Sequence, residues 1–340
     1  MPRRLFSWKN SVSKPVRLDK RLTLAIPPLV WLGWYFLPAA PPFRAIAEHW
    51  PISVTMAFGS FIAGATSEAG GAVAFPVFTK ILGIPAGQAK LFSLATQSIG
   101  MGSALLTILL LRIRVEWRAV FWAVLGSVPM LCLGLMTADL IPASAVRMLF
   151  TVTQSSFALA LWWHNRDSNR DRHASLPAFG GRERLTLLSF GMLGGLISGL
   201  MGSGLEIIVF SVLVLWFRLC EKAATPTVIV MMVLTSWSGF AMIYATGRFV
   251  APVTDYWLAA IPIVAMGAPL GVYVCSRMSR VAVVYTLLGL IGLELLSSLL
   301  LIPLTAQLSL AAIALFLAFS CVYYSMYRSR RYLDRAPTLR

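Results

Sequence analysis

Charge and reactive side chains are scarce in this sequence. Aspartate and glutamate number only 13 in 340 residues, and charged residues of both signs make up 12% of the chain. With 58% apolar residues and a mean hydropathy of +0.77, that scarcity excludes an ordinary soluble domain and implies an integral membrane protein. The three histidines, His49, His164 and His173, fall at segment ends or in a polar stretch. They are too scattered for the clustered ligands of a histidine metal centre. The four cysteines, Cys132, Cys220, Cys275 and Cys321, stand far apart with no CxxC and read as packing residues. No catalytic Ser-His-Asp pattern, P-loop, GxGxxG or HExxH occurs. Nothing therefore points to an enzyme, a cofactor or a bound metal.

Basic residues are not scarce: 29 lysines and arginines give a net charge of +16. Their placement decides whether nucleic acid is implied. A membrane-crossing helix needs about 20 apolar residues, and eight stretches qualify: 22–40, 89–111, 117–137, 143–163, 223–245, 256–276, 281–303 and 307–327. The first is longer than the apolar core of a secretory signal, about 7 to 15 residues, so an uncleaved span is expected. Two further regions, 52–83 and 185–217, are apolar but broken by Gly, Ser and Glu, and each is expected to form a hairpin of two half-length helices. With both hairpins re-entrant, 24 of the 29 basic residues fall on one side, as short cytoplasmic segments require. The basic excess is thus a topology signal, with the N- and C-termini cytoplasmic, a lipid bilayer as partner and nucleic acid not called for. Long apolar helices exclude an outer-membrane barrel and predict a plasma or bacterial inner membrane.

Under this threading the order hairpin, span, span, span occurs twice with opposite orientation. The organisation predicted is a basic tail at 1–21, a first span at 22–40, repeat A at 52–163, a cytoplasmic linker at 164–184, repeat B at 185–303, a last span at 307–327 and a basic tail at 328–340. A shift of 135 residues aligns Gly59 with Gly194, Gly64 with Gly199, Phe75 with Phe210 and Val77 with Val212. The fold class is therefore all-α polytopic membrane protein with inverted-topology repeats and one extra helix at each end, the plan of secondary transporters.

Broken backbone at membrane depth is tolerated where it is buried in protein or lines a wet cavity. The two hairpin tips are accordingly the predicted substrate site. In GATSEAGGAVAFP, 64–76, the tip residues are Ser67, Glu68, Gly70 and Gly71; in GLMGSGLEIIVFSV, 199–212, they are Gly202, Ser203, Gly204 and Glu206. Half-helix N-termini converging near the midplane would suit an anion. Intramembrane acids are costly, so Glu68 and Glu206 are open to proton coupling or gating, to capping of their own helices, or to holding a cation. Lys90, Ser93 and Gln97 follow at helical spacing and suit oxyanion oxygens; Lys90 reaching the interface with the polar pair packing helices is the bland alternative. Thr225 and Thr227 occupy the corresponding place in repeat B. Glu294, with no Gly-rich break beside it, reads as an interhelical hydrogen-bond partner.

The runs GATSEAGGAVAFPVFTKILGIPAGQAKLFSLATQSIGMGSA and GGLISGLMGSGLEIIVFSVLVLWFRLCEKAATPTVIVMMV resemble the sulfite exporter TauE/SafE family, the 4-toluene sulfonate uptake permeases, over roughly 52–303. The resemblance implies secondary transport of a small sulfur-containing anion such as sulfite or an organosulfonate, with a proton as a coupling ion to test. Members commonly carry a richer glycine run at the first tip; here Ser67, Glu68 and Ala69 interrupt it. A carrier of a cation or metal ion held by Glu68 and Glu206 is the rival within transport. Substrate identity, direction and oligomeric state are not written in these motifs.

Overall fold

The computed structural model describes residues 23–37, 42–66, 74, 77–166, 173, 175–176, 179–301 and 305–328. Twelve α-helices are described: α1 Ile26–Tyr35, α2 Pro42–Glu48, α3 Trp50–Ala65, α4 Ala86–Leu110, α5 Trp117–Thr137, α6 Ala143–Arg166, α7 Gly181–Met201, α8 Leu205–Ser211, α9 Glu221–Ala245, α10 Val253–Arg277, α11 Arg280–Leu301 and α12 Ala306–Arg328. Among the described residues no strand is formed, only an isolated bridge between His173 and Leu219. Seven of the helices, all from α4 onward, are long and apolar enough to cross a membrane. The chain is an all-α, multi-pass membrane protein. Helix α6 falls outside the seven, although it has 24 residues, because Arg147, Thr151, Thr153, Gln154, Ser155 and Ser156 dilute its hydropathy.

Two stretches of the chain share one backbone plan. Helices α4 and α9 have 25 residues each and start 135 positions apart. The same separation relates the π-helical turns Val77–Ile81 and Val212–Trp216. It also relates two pairs of left-handed residues, Gly83 (φ 66°) with Arg218 (φ 57°) and Arg112 (φ 51°) with Gly247 (φ 68°). Such conformations are uncommon outside glycine, so their coincidence at one offset is far more specific than matches between apolar side chains.

Packing repeats as well. Helix α3 lies along α10, and α7 lies along α5, each pair so close that small residues are obligatory at the contact. A Cβ on Gly64 would lie 2.0 Å from the carbonyl oxygen of Ala268, and one on Gly199 would lie 2.3 Å from that of Leu131. Each first hairpin arm thus packs on the second long helix of the other stretch.

The ends of the helices sort by charge. Glu116 donates its backbone N–H to Thr227 Oγ1 at 3.0 Å, Lys222 Nζ donates to the carbonyl of Met278 at 3.2 Å, and Arg218 contacts His164 Nδ1 at 3.0 Å and the carbonyl of Tyr327. The basic segments at 112–118, 218–222 and 277–280 therefore meet the ends of α6 and α12 at one end of the molecule.

Two expectations change. Of the span expected at 22–40, the structure describes a ten-residue helix, Ile26–Tyr35, about 15 Å long at 1.5 Å per residue, roughly half the hydrocarbon thickness. It rests on α10 through hydrogen bonds from Trp31 and Trp34 to the carbonyls of Pro262 and Leu258. The second hairpin is also not built from two half-length arms. Its first arm, α7, has 21 residues, about 31 Å, and only the return, Leu205–Trp216, is short. Gly202 and Gly204 halt α7 only after a full crossing length, because the left-handed φ of 85° at Gly202 ends the helix there.

Candidate functional site

One polar contact between the two stretches lies where the second tip meets α4. Ser93 and Gln97 are one turn apart, so their side chains share a face. Ser93 Oγ donates to the carbonyl oxygen of Gly202 at 3.1 Å, and Gln97 Nε2 donates to the same oxygen at 3.0 Å and to Ser93 Oγ at 2.8 Å. The approach needs glycine: a Cβ on Gly202 would lie 2.8 Å from the carbonyl oxygen of Lys90. Ser203 is buried in the same turn.

Beyond the turn, α8 caps itself. Gly204 donates its N–H to Glu206 Oε1 at 2.9 Å, and Leu205 donates its N–H to Ser198 Oγ at 2.8 Å. These bonds occupy amides that a free helix N-terminus would offer to a ligand. Of the roles open to Glu206 from sequence, capping of its own helix is the one this hydrogen bond realises, and the buried carboxylate stands where an anion would at that N-terminus.

A cavity opens beside Ser93 and Gln97, between α3, α4, α10 and the return of the first hairpin. Its wall is mostly apolar, with Phe78, Phe92 and Met101 among the large side chains, and Ser60 and Thr96 bring hydroxyls to it. Both hydroxyls are buried and have no hydrogen-bond partner among the described residues. Unpaired buried polar groups cost about 1–3 kcal/mol each, and two of them belong to residues that line this cavity. Ala63 and Ala74, which precede and follow the first tip, also line this cavity. The tip residues Ser67, Glu68, Gly70 and Gly71 lie outside the described residues.

Near the start of α4, one residue on from Ala89 of the cavity wall, three charges meet. Lys90 Nζ lies 3.3 Å from Asp139 Oδ1, and Arg248 Nη2 lies 2.7 Å from Asp139 Oδ2. The Lys90 side chain is 3% exposed, whereas that of Asp139 is 59% exposed. Two cations gripping the two oxygens of one carboxylate reproduce the arrangement in which an oxyanion is held. The cluster keeps one net positive charge, which favours an arriving anion.

The expected partners from the second stretch are elsewhere. Thr225 Oγ1 donates to the carbonyl of Glu221 and Thr227 Oγ1 to that of Ala223, while Thr227 also receives Glu116. Glu116 follows the far end of α4, about 30 Å from Lys90 at 1.5 Å per residue. Thr225 and Thr227 therefore do not join Lys90, Ser93 and Gln97 in one site. Each hydroxyl returns to its own helix, which is how Ser and Thr satisfy themselves inside membranes.

A family model for the sulfite exporter TauE/SafE matches residues 52–296. The chain belongs to the sulfite exporter TauE/SafE family. No curated protein and no solved structure matches it. The matched segment begins inside α3 and ends inside α11, so it contains both hairpins, the cavity and the Lys90–Asp139–Arg248 cluster. As a member of this family the protein is a membrane transporter and not an enzyme.

In this TauE/SafE protein several polar residues escape a reading of sequence alone. Asp139 and Arg248 lie in short connections, 49 and 158 positions after Lys90, and no periodicity announces that they meet it. Ser60 and Thr96 look like the small polar residues that pack any membrane helix. Lys80 and Glu294 form a buried pair in which each side chain is 1% exposed, with Nζ 3.4 Å from Oε1. Lys80 also donates to Ser297 and Ser298 at 3.1 and 2.6 Å. Thr151 and Ser298 donate to Glu294 Oε1 at 3.0 and 2.8 Å. The signal available beforehand was the acid itself, since Glu294 is one of few inside an apolar run.

Proposed function

We propose that this transporter is a secondary permease for a small sulfur oxyanion, sulfite or an organosulfonate, with its binding place in the cavity between α3, α4 and α10. The strongest support is that Ser60 and Thr96, whose buried hydroxyls have no hydrogen-bond partner among the described residues, both line this cavity. An oxyanion accepts hydrogen bonds at several oxygens, and neutral donors bind it tightly enough to desolvate it yet release it again. Ser93 and Gln97 also line the cavity, and because their donors are engaged by the Gly202 carbonyl and by each other they tie the site to the second tip, with Ser203 in the same turn. Ser67, Glu68, Gly70 and Gly71, which lie outside the described residues, are retained as substrate contacts of this reading, because Ala63 and Ala74, which precede and follow them in the chain, border the cavity.

Lys90 and Arg248 serve as the collecting charges near the start of α4, and Asp139 holds them until the anion displaces it. Glu206 positions the second tip by capping α8. A proton is the coupling ion in this reading, carried by an acid within the membrane. The two stretches form inverted-topology repeats, a plan favoured by the common 135-residue offset and by the reciprocal packing of α3 on α10 and α7 on α5. The end where the basic segments gather is assigned to the cytoplasm, with both termini there and the plasma or bacterial inner membrane as location. The rival reading, a cation carrier using Glu68 and Glu206, has less support, because Glu206 Oε1 is already engaged by an N–H donor.

The test is uptake of radiolabelled sulfite and a panel of small sulfonates into proteoliposomes, with and without an imposed proton gradient. Saturable uptake of one of these anions, competed by the others and not by divalent cations, is the expected result. Uptake of a divalent cation with no anion transported would overturn the reading.

A further inference from the structure

The buried Lys80–Glu294 pair belongs neither to the cavity wall nor to the Lys90–Asp139–Arg248 cluster, and the architecture does not require it. The 135-residue offset places Leu215 at the position of Lys80. The starts of α6 and α11, Ala143 and Arg280, are 137 positions apart, and that offset places Phe157 at the position of Glu294. Leu215 and Phe157 are fully buried members of one apolar cluster. The two equivalent positions, one in each stretch, are thus filled with buried hydrocarbon alone. Charges inside a membrane are expensive, and a buried ion pair is commonly no more stabilising than apolar residues of similar size. Its presence at one of the two equivalent places therefore asks for a use other than stability.

The carboxylate is unevenly satisfied. Oε1 of Glu294 receives Thr151 and Ser298 and faces Lys80, whereas Oε2 is buried with no hydrogen-bond partner among the described residues. Lys80 stands two residues after Phe78 in the same π-helical turn, and Phe78 lines the cavity. The charged groups facing the carboxylate are Lys80 from the hairpin return and, through its field on Lys80, Arg147 from α6.

We propose that Glu294 is the site where the coupling proton binds, and that Lys80 transmits its protonation state to the cavity wall through Phe78. This rests on the transport reading above and names its coupling residue. The step is a simple protonation: a proton adds to Oε2, the carboxylate becomes a neutral acid, and no other bond is made or broken. Lys80 then loses its counter-charge beside the cavity. An anion in the cavity restores the balance, so proton and anion are taken up together. Deprotonation re-forms the pair and draws the return arm back against α6 and α11.

Two measurements test this on the full chain in lipid nanodiscs and in proteoliposomes. Infrared difference spectra over a pH series, recorded without substrate, are expected to show a carboxylic acid band that titrates in the parent and is lost in Glu294→Gln. A titrating band that survives unchanged in Glu294→Gln, or no such band in the parent, overturns the proposal. In proteoliposomes with sulfite as probe, Glu294→Gln is expected to lower gradient-driven accumulation to the level seen without a gradient. The double substitution Lys80→Leu with Glu294→Leu, which copies the apolar chemistry of the equivalent positions, is expected to fold, to unfold at no lower temperature than the parent, and to lose gradient-driven accumulation. Accumulation at the parental level in that folded double variant overturns the proposal. Failure of the parent to move sulfite or any sulfonate would count against the transport reading alone, because the infrared band is read with no substrate present.

Discussion

Gln97 donates from Nε2 to the carbonyl oxygen of Gly202, a 3.0 Å hydrogen bond that joins α4 to the tip of the second hairpin. The bond exists because Gly202 combines a left-handed φ of 85° with a backbone that touches Lys90. Gly202→Ala should therefore strain the turn and push the tip off α4, with a backbone cost of about 1–2 kcal/mol before the clash with Lys90 is counted. The control is Gly247→Ala, where φ is 68° but nothing lies within 4 Å of the added atom. Thermal unfolding in detergent should fall further for Gly202→Ala than for Gly247→Ala, and sulfite uptake should be lost only in the former.

Thr96→Val separates a binding role from a packing role. The substitution is nearly isosteric and removes a buried hydroxyl without a partner among the described residues, so stability should hold or rise by up to about 1 kcal/mol. If the hydroxyl serves the anion, the KM for sulfite should rise several-fold in the same protein. An unchanged KM would show that Thr96 takes no part in binding.

Asp139 competes with the anion for Lys90 and Arg248. Asp139→Asn should lower the KM for sulfite at low ionic strength, and Arg248→Ala should raise it. Both effects should shrink as salt is added, since Asp139 is largely exposed and the Debye length is only about 8 Å at physiological ionic strength. Initial rates of uptake across a salt series would check this. A KM indifferent to salt and to both substitutions would remove the cluster from the path of the anion.

Helix contact through Gly199 has no room for a larger residue. Gly199→Val should disrupt the packing of α7 on α5, where an added Cβ meets the carbonyl of Leu131 at 2.3 Å. The expected loss exceeds the 1–3 kcal/mol typical of overpacking, because the obstruction is backbone and not a side chain that can turn away. Gly289→Ala, with nothing within 4 Å of its Cβ, should be neutral or slightly stabilising through helix propensity. Unfolding temperatures of the two purified variants give the comparison.

Much of the plan was legible before any coordinates. Apart from α7, the helices apolar enough to cross agree with expected apolar runs to within a few residues, because length and hydropathy decide what crosses a bilayer, whereas the expected span 143–163 forms a helix, α6, too polar to join them. The glycines at 202 and 204 marked the second break. The 135-residue offset, weak in side chains, reappears in the left-handed pairs Gly83 with Arg218 and Arg112 with Gly247. The ten-residue helix at Ile26–Tyr35 was misjudged because an apolar run holding Pro27, Pro28 and Pro38 reads as long enough to span even where the helix is short.

The candidate site was only half legible. Ser93, Gln97 and Gly202 meet, and the Lys90 backbone lies against Gly202, but the Lys90 ammonium pairs with Asp139, and Thr225 and Thr227 lie about 30 Å away along α4 at 1.5 Å per residue. Equivalence under a repeat relates environments and not places, and an inverted pair puts equivalent positions at opposite ends.

The amino-acid sequence by itself determined the membrane class, most of the spans, the second break and the family, since each depends on local composition read along one chain. Only the tertiary structure decided which residues meet: Asp139 with Lys90 and Arg248, Lys80 with Glu294, Ser60 with Thr96 on one cavity wall. The physical reason is that these helices are apolar on nearly every face, so their sequences carry little record of which face turns toward which neighbour. That choice is made when glycine-lined contacts such as Gly64 on Ala268 and Gly199 on Leu131 fix the rotation and depth of each helix.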